Sequence, residues 1–113
     1  MKFEPDLARQ ILLAVEELPS PYNNDPIEID GYSQDEISYH IKLLTEAEFL
    51  ISHEASTFGK FLWLPQHLTY DGQNFLSAVK KDTTWNKAKS LVKANGWELT
   101  LTAIKAVLTD LIK

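Results

Sequence analysis

The stretch YSQDEISYHIKLLTEAEFLIS, residues 32–52, decides the fold. Ser33 is followed three residues later by Glu36, and this spacing is a capping box, which marks the start of a helix. Apolar residues then recur at the spacing of one helical face and predict its buried side: Ile37, Ile41 and Leu44. The apolar residues that follow begin a strand, which we expect to span residues 50–54. The stretch therefore predicts a capped helix that leads into a strand.

Upstream of this stretch, the pattern predicts a helix and a brief strand. Apolar residues recur on one helical face over residues 5–18, where Pro5 suits the first turn. A loop rich in proline and asparagine follows. Residues 27–30 alternate apolar and polar side chains, which predicts a strand. Only residues 30–32 separate that strand from the capped helix, so we expect a tight turn there with no room for another helix.

Downstream of this stretch, the sequence predicts a hairpin. Phe58-Gly59-Lys60 supplies a turn, and residues 61–64 return as the partner of the strand at residues 50–54. Pro65 limits the far end of the returning strand, because proline has no backbone N–H to donate to a ladder.

Three helices follow the hairpin. Thr69 and Thr100 suit the caps of the first and the last, Asp82 or Thr83 starts the middle one, and Gly96 stops it. The residues expected on their core sides are Phe75, Leu76 and Val79, then Trp85, Ala88 and Val92, and finally Ile104, Val107, Leu108 and Leu111. The whole order predicts an α+β fold in one compact domain.

The composition limits the class of protein. The chain of 113 residues is 44% hydrophobic and 24% charged, as expected of a folded globular domain. It has no cysteine, which excludes disulfides, thiol catalysis and cysteine-based zinc sites, and fits a cytoplasmic location. No apolar run approaches the roughly 20 residues that span a bilayer, and the acidic N-terminal stretch is unlike a signal peptide. We expect no membrane partner.

The charge is distributed unevenly along the chain. Residues 1–79 carry four basic side chains against thirteen acidic ones, a net −9, whereas residues 80–113 carry seven against three, a net +4. Two interpretations are open. The basic tail packs on the acidic body of its own chain, or it reaches a second copy and forms a homodimer whose contacts include the C-terminal helices.

Two segments resemble the winged-helix regulators of bacteria. Residues 39–52, YHIKLLTEAEFLIS, resemble their junction between recognition helix and wing, and residues 68–76, LTYDGQNFL, resemble the exit from the wing. The resemblance implies a winged-helix-like domain of helix, strand, helix and two-stranded wing, with a C-terminal extension of three helices. We assign residues 1–79 to the core, including the helix after the wing, and residues 80–113 to the helical extension packed on it.

The chain departs from the regulator pattern in two places. The short connection at residues 30–32 leaves out the helix that normally braces the recognition helix on DNA. Glu48 stands where these regulators usually have glycine, which suits the left-handed turn that ends a helix. We therefore expect the helix either to run on past this point or to end by a different cap.

The whole chain also resembles an uncharacterised family of small bacterial and prophage proteins, the domain of unknown function 2513. Three blocks carry the resemblance: IEIDGYSQDEISYHIKLL at residues 27–44, LTYDGQNFL at residues 68–76 and KDTTWNKAK at residues 81–89. The last block has no counterpart in ordinary winged-helix proteins. The resemblance supports the fold and brings no established activity.

Three surfaces are candidates for binding a partner. The outward face of the capped helix carries Asp35, Ser38, Tyr39, Lys42, Thr45 and Glu46. The basic tail patch consists of Lys80, Lys81, Lys87, Lys89 and Lys93. The wing contacts are His53, Phe58, Lys60 and Trp63. The alternative for the two helical surfaces is simple solvation, and the alternative for the tryptophan is packing in the core.

No pattern for catalysis or metal binding emerges from the sequence. The three histidines, His40, His53 and His67, lack the spacing of a metal site, and no glycine-rich phosphate loop is present. His40 flanks the apolar stripe of the capped helix, where a core histidine is common. We therefore expect a protein that is not an enzyme and needs no cofactor.

The function expected from these features is that of a non-enzymatic binding module of bacterial or prophage origin. Its partner would be another protein or a second copy of the chain. The alternative is a winged-helix DNA-binding transcriptional regulator. Because affinity for nucleic acid depends on cations that contact phosphates, the single lysine on the helix face disfavours this alternative.

Overall fold

The computed structural model describes residues 1–111, so the last two residues of the expected extension lie outside the described residues. The described chain forms five helices and one antiparallel pair of strands, an α+β fold as expected. In chain order the elements are α1 (Pro5–Glu16), α2 (Gln34–Glu46), β1 (Leu50–Glu54), β2 (Trp63–Leu68), α3 (Tyr70–Val79), α4 (Asp82–Ala94) and α5 (Leu101–Leu111).

Helix α2 begins as the sequence predicts. Ser33 Oγ accepts a hydrogen bond from Glu36 N at 3.1 Å, and Glu36 Oε1 accepts one from Ser33 N at 3.0 Å. Both hydrogen bonds of the capping box are therefore present. The predicted core side of the helix is also confirmed, because its three apolar residues are buried: Ile37, Ile41 and Leu44.

Helix α2 ends at a left-handed residue. Glu48 has a φ of 67°, and its N–H bonds Thr45 O at 3.0 Å, while Phe49 N bonds Leu44 O at 2.9 Å. These two bonds form the Schellman pattern, which normally has glycine at the left-handed position. Both expectations for this position are therefore wrong: the glycine-type cap forms with a glutamate in it. The cause is Phe49, which is buried and stacks on Phe75 at 4.7 Å between ring centroids, so the chain must turn sharply into the core.

Residues 27–30 do not form the predicted strand. Ile27 is buried and its carbonyl accepts a hydrogen bond from Gln34 Nε2 at 2.7 Å, but the segment joins no ladder in the described chain. The loop before this segment bonds to β2 through a side chain instead of through strand pairing, since Asn23 Nδ2 donates to Pro65 O at 2.8 Å. The alternation in the sequence thus reflects the burial of isoleucine, and strand pairing does not follow from it.

The tight turn before α2 is confirmed. Tyr32 N donates to Ile29 O at 3.2 Å, and Gly31 has a φ of 89°, a conformation that favours glycine. No helix lies between Ile29 and Ser33. Helix α2 therefore follows an irregular segment directly, without the preceding helix of a helix-turn-helix.

The hairpin differs from the prediction in its second strand. β1 and the turn are confirmed, with Thr57 and Lys60 exchanging backbone bonds of 2.9 and 2.8 Å around the turn. β2 begins and ends later than residues 61–64, and Pro65 lies inside it. Ile51 pairs with His67 but the next residue of β1 pairs with Pro65, so β2 has a bulge between them. A bulge tolerates a residue that has no N–H to donate, which is why this proline does not end the strand.

The three C-terminal helices follow the predicted order. The hydroxyls of Thr69 and Thr100 each accept a backbone N–H bond of 3.0 Å from the first turn of α3 and α5. Helix α4 begins at Asp82, and Gly96, with a φ of 74°, follows its end. The expected core residues are buried except Leu111, which is half-buried.

The start of α3 packs against the backbone at the start of β1. Thr69 N donates to Phe49 O at 3.0 Å, and Thr69 Oγ1 donates to Glu48 O at 2.6 Å. A Cβ at Gly72 would collide with Phe49 O, so this position requires glycine. The two ends of the hairpin are therefore held together at Phe49.

Candidate functional site

The outward face of α2 is narrower than the sequence predicts. Ser38, expected on this face, is fully buried, and its Oγ accepts a hydrogen bond from Trp63 N at 3.1 Å. The prediction for Ser38 is therefore wrong. The physical reason is that β2 lies against this side of the helix, and the serine hydroxyl satisfies the N–H of the first residue of the strand.

Thr45 of the same face also contacts the hairpin. Its Oγ1 donates to Ile41 O at 2.7 Å and lies 2.6 Å from Ser52 Oγ. Because Thr45 has a single hydroxyl proton, Ser52 must donate the second bond. Each strand of the hairpin thus engages one hydroxyl of the expected binding face.

The remaining groups on this face give it a negative character. Lys42 Nζ lies 2.8 Å from Glu46 Oε2, one turn along the helix, and this bond is the main reason that the pKa of Lys42 lies above its ordinary value. Asp35 is exposed, and the partly buried ring of Tyr39 lies edge-on to His40 at 5.8 Å. The only lysine of the face is therefore already bound to a carboxylate.

The wing contacts separate into exposed and packed residues. Phe58 is fully exposed at the turn, and His53 and Lys60 are exposed on the hairpin. Trp63 is half-buried against the core, which is the alternative that the sequence left open. Its Nε1 is buried and has no hydrogen-bond partner in the described chain. The hairpin thus offers two exposed large apolar side chains to a partner, Phe58 at the turn and the 43% exposed Ile51 of β1.

Two of the five tail lysines are bound by α1 of the same chain. Lys80 Nζ lies 2.7 Å from Glu16 Oε1, and Lys89 Nζ lies 2.8 Å from Asp6 Oδ1. The bond to Glu16 is the main reason that the pKa of Lys80 is raised. The basic tail therefore packs on the acidic body of its own chain. It does so against α1 and not over the outward face of α2.

Trp85 is the centre of the contact between α1 and α4. It is buried, and its Nε1 donates to Asp6 Oδ1 at 2.7 Å. The guanidinium of Arg9 and the ammonium of Lys89 lie 5.6 and 5.4 Å from the indole ring centre, within cation–π range. The block KDTTWNKAK at residues 81–89 thus docks α4 on α1.

Arg9 closes the junction between α3 and α4. Its Nε donates to Val79 O at 2.8 Å, and its Nη2 donates to Lys80 O at 2.7 Å and to Asp82 Oδ1 at 2.9 Å. Arg9 and Asp6 are partners of the tail that the sequence did not predict. Their spacing of three residues, which places both on one face of α1, was the available signal.

Opposing effects act on the carboxyl group of Asp6. Partial burial would raise its pKa, but the hydrogen bonds from Lys89 and Trp85, together with the nearby positive charges, outweigh burial. The pKa of Asp6 is therefore lowered below its ordinary value. The ionised carboxylate is the form that the α1–α4 contact stabilises.

The other three tail lysines have no such partner. Lys81, Lys87 and Lys93 are exposed, and no acidic group of the described chain lies within ion-pair distance of them. Lys81 and Lys87 line one cavity of about 440 Å³ between α3, α4 and α5. Lys93 lies in the last turn of α4 and does not line this cavity.

His40 is a buried core histidine, as its place beside the apolar stripe predicts. Its Nε2 accepts a hydrogen bond from Glu4 N at 2.8 Å, and its Nδ1 lies 2.8 Å from Glu36 O. Because a carbonyl can only accept, the ring carries its proton on Nδ1. His40 thereby ties the start of α1 to α2.

Neither a metal-binding cluster nor a membrane-spanning helix is present in the described part of the chain. Among residues 1–111, no three His, Cys, Asp or Glu side chains cluster in a way that could hold a metal ion. Within the same range, every helix is too short or too polar to cross a membrane. His53 and His67 face Leu64 and Ile51 in the ladder, so the two histidines are not opposite each other.

Comparison with known proteins agrees with the resemblance seen in the sequence. The family model described as "Hypothetical protein (DUF2513)" matches residues 2–98. The chain belongs to this family. An "Uncharacterized protein" of Haemophilus influenzae (strain ATCC 51907 / DSM 11121 / KW20 / Rd) is 32% identical over 113 residues, which cover 99% of this chain and 96% of that protein. No solved structure matches the chain.

The part of the chain that matches the DUF2513 family includes α1 to α4 and ends before α5. Both sides of the contact between Asp6 and Trp85 therefore lie inside the matched range. The docking of α4 on α1 is thus a contact within the family domain.

Proposed function

We propose that this DUF2513 protein is a non-enzymatic binding module that acts in the cytoplasm through protein contacts. The observation that carries the proposal is the charge on the outward face of α2. Its single lysine, Lys42, is bound to Glu46 at 2.8 Å, and Asp35 and Glu48 add exposed carboxylates on or near this face. Duplex DNA is held largely through cations that contact phosphates, so this face opposes such binding.

The proposed scaffold is winged-helix-like. The order of α1, α2 and a hairpin supports it, as do the resemblances at the two ends of the hairpin. Two features favour a use other than reading DNA. The first is that residues 30–32 form no helix that could brace α2. The second is that the hairpin bonds to the side of α2 that would read bases, since Ser52 of β1 bonds to Thr45 and Trp63 of β2 bonds to Ser38.

The exposure of Phe58 supports the proposal that the hairpin contacts a protein partner. A phenylalanine with its whole side chain in water, at the tip of a two-residue turn, contributes nothing to the core. Aromatic side chains are frequent anchors of protein interfaces, where they fill a pocket of the partner. Phe58 is therefore the residue with which to search for that partner.

Photo-crosslinking in the host cell tests this proposal. A photoreactive phenylalanine analogue is placed at position 58 of the full chain and, as the matched control, at Tyr22, which is 80% exposed outside the hairpin. We expect a discrete adduct from position 58 that protease removes and nuclease does not, and none from position 22. Equal labelling at both positions, or adducts that nuclease removes, would contradict protein contacts through the hairpin.

The second candidate is a winged-helix DNA-binding transcriptional regulator. The exposed Lys81, Lys87 and Lys93, which have no acidic partner in the described chain, favour it. Fluorescence anisotropy with mixed duplex DNA at about 50 and about 200 mM salt separates the candidates. Protein contacts predict no measurable binding at either concentration. Binding that weakens steeply with salt would support the regulator.

A second copy of the chain is one protein partner that can be measured directly. Trp97 is 49% exposed beside a largely apolar cavity of about 390 Å³ at the start of α5, which supports a homodimer through the C-terminal helices. Exposed ion pairs contribute only about 0–1 kcal/mol each, so apolar contacts must hold such a dimer. Light scattering at low and high salt should give twice the monomer mass in both. A strict monomer at high protein concentration would rule out self-association.

A further inference from the structure

The cavity between α3, α4 and α5 has a chemically uniform polar lining. Two lysines, Lys81 and Lys87, and three residues with hydroxyls, Ser77, Thr83 and Thr84, line a volume of about 440 Å³. Among residues 1–111, no Asp or Glu belongs to this lining. All five polar side chains can donate hydrogen bonds, so the cavity is suited to an acceptor with negative charge.

The charges around the cavity differ from those on the opposite side of α4. There, Lys89 of α4 is held by a carboxylate of α1 at 2.8 Å, as is Lys80 at the end of α3 at 2.7 Å. Asp82, the acidic residue next to Lys81 in the sequence, is bound by Arg9 at 2.9 Å. The acidic residue closest to Lys81 along the chain is thus already engaged, and no carboxylate among the described residues forms an ion pair with Lys81 or Lys87.

We propose that this cavity binds the phosphate group of a phosphate monoester. Such a group carries close to two negative charges at neutral pH and has three strong acceptor oxygens, whereas a carboxylate has one charge and two oxygens. Two ammonium groups and three hydroxyls therefore match a phosphate in both charge and number of donors. The cavity also has an apolar part, formed by Ala78 and Leu111, which gives the organic half of a monoester a surface to contact.

This site is independent of the protein contacts proposed for the hairpin. The cavity includes no residue of the hairpin or of α2, and its lining comes from α3, α4, α5 and the connection before α4. Loss of the hairpin surface would therefore leave phosphate binding intact, and loss of phosphate binding would leave crosslinking at position 58 intact. The two proposals can fail separately.

Nuclear magnetic resonance titration of the full chain with phenyl phosphate tests the proposal. We expect saturable shifts at the amides of Thr83 and Thr84. Lys81→Gln and Lys87→Gln should each weaken binding about tenfold, because each removes one charge-assisted contact. Lys93→Gln is the matched control, since Lys93 is an exposed lysine of the same helix outside the cavity, and its affinity should equal that of the wild type.

The outcomes of this titration are distinct. Shifts that never saturate would overturn the site. An equal loss of affinity in all three lysine variants would overturn it too, because general attraction to a basic helix would then explain the binding. A parallel titration with inorganic phosphate identifies the source of the group. Weaker binding than phenyl phosphate supports a monoester, and equal binding overturns the role given to Ala78 and Leu111.

Discussion

Helices α2 and α4 have the same length of 13 residues but use their polar side chains in opposite ways. On α2, Ser38 and Thr45 bond to the hairpin or to their own helix, and Lys42 bonds to its own helix. On α4, the side facing α1 is bound to that helix, whereas Lys87 and Lys93 face away without an acidic partner in the described chain. Helix α2, which resembles the recognition helix of the winged-helix regulators, thus uses these polar side chains for contacts within the domain. Lys87 and Lys93 lie on the helix that contains most of the block without a counterpart in the winged-helix regulators.

The inner side of α4 gives the largest expected effect. Trp85→Ala should lower the free energy of unfolding by about 3–5 kcal/mol, because it empties a large buried volume and removes one of the two hydrogen-bond donors to Asp6. Asn86→Ala is the control, since Asn86 is exposed on the same helix and should stay within about 0.5 kcal/mol of the wild type. Urea unfolding followed by circular dichroism measures both. A Trp85→Ala loss of under about 1 kcal/mol would show that α4 is not docked through this residue.

The buried side of α2 gives the next effect. Ser38→Ala leaves Trp63 N without its acceptor in a part-buried position, which should lower the free energy of unfolding by about 1–3 kcal/mol. Ser90→Ala makes the same chemical change on the exposed side of α4 and should cost nothing measurable. The difference between the two serine variants in urea unfolding is the quantity to compare. Equal stabilities would mean that the hairpin does not depend on α2 at this point.

Substitutions after the C-terminal ends of α2 and α4 should change the free energy of unfolding by a smaller amount and in opposite directions. Both end in a Schellman pattern, with Glu48 after α2 and Gly96 after α4. Glu48→Gly should raise the free energy of unfolding by about 0.5–1 kcal/mol because it relieves a left-handed side chain, and Gly96→Ala should lower it by a similar amount. Thermal unfolding measures both shifts. If Glu48→Gly is destabilising, the glutamate has a contact that compensates for its conformation.

The smallest expected effect on stability is the weakening of the α1–α4 contact at acidic pH. The pKa of Asp6 is lowered in the folded chain, so its stabilisation is present above the ordinary pKa and is lost as the pH falls through the lowered one. The wild type should therefore lose more stability than Asp6→Asn between about pH 5 and about pH 2. The difference should stay under about 1 kcal/mol, because the Asp6 side chain is 56% exposed. Parallel acid profiles of both proteins that never converge would contradict this contribution.

The parts of the fold that sequence reasoning predicted are set by local rules. The capping box at Ser33, the turn at Gly31 and the caps at Thr69 and Thr100 each depend on residues within one turn of the chain. The core sides of the helices follow from spacing alone. Position 48 shows the limit of such rules, since a buried phenylalanine next to it forces a left-handed glutamate.

The parts that were missed depend on contacts between distant segments. A helical wheel assigns Ser38 to the outside because it contains no information about β2, 25 residues away. The extent of β2 depends on a bulge that lets Pro65 sit within a strand. Arg9 and Asp6 meet α4 across more than 70 residues. Their spacing places both on one face of α1, but it does not identify the segment that this face contacts.

The closure of the hairpin at Phe49 makes the domain a suitable carrier for foreign sequence. Phe49 O accepts the N–H of Thr69, and the close contact at Gly72 fixes the start of α3 against the same backbone. A loop whose two ends are fixed tolerates changes at its tip, since added residues alter only the entropy of closing it. An epitope or a reporter peptide inserted between Phe58 and Gly59 should therefore be displayed in solvent while the helices beneath keep their arrangement.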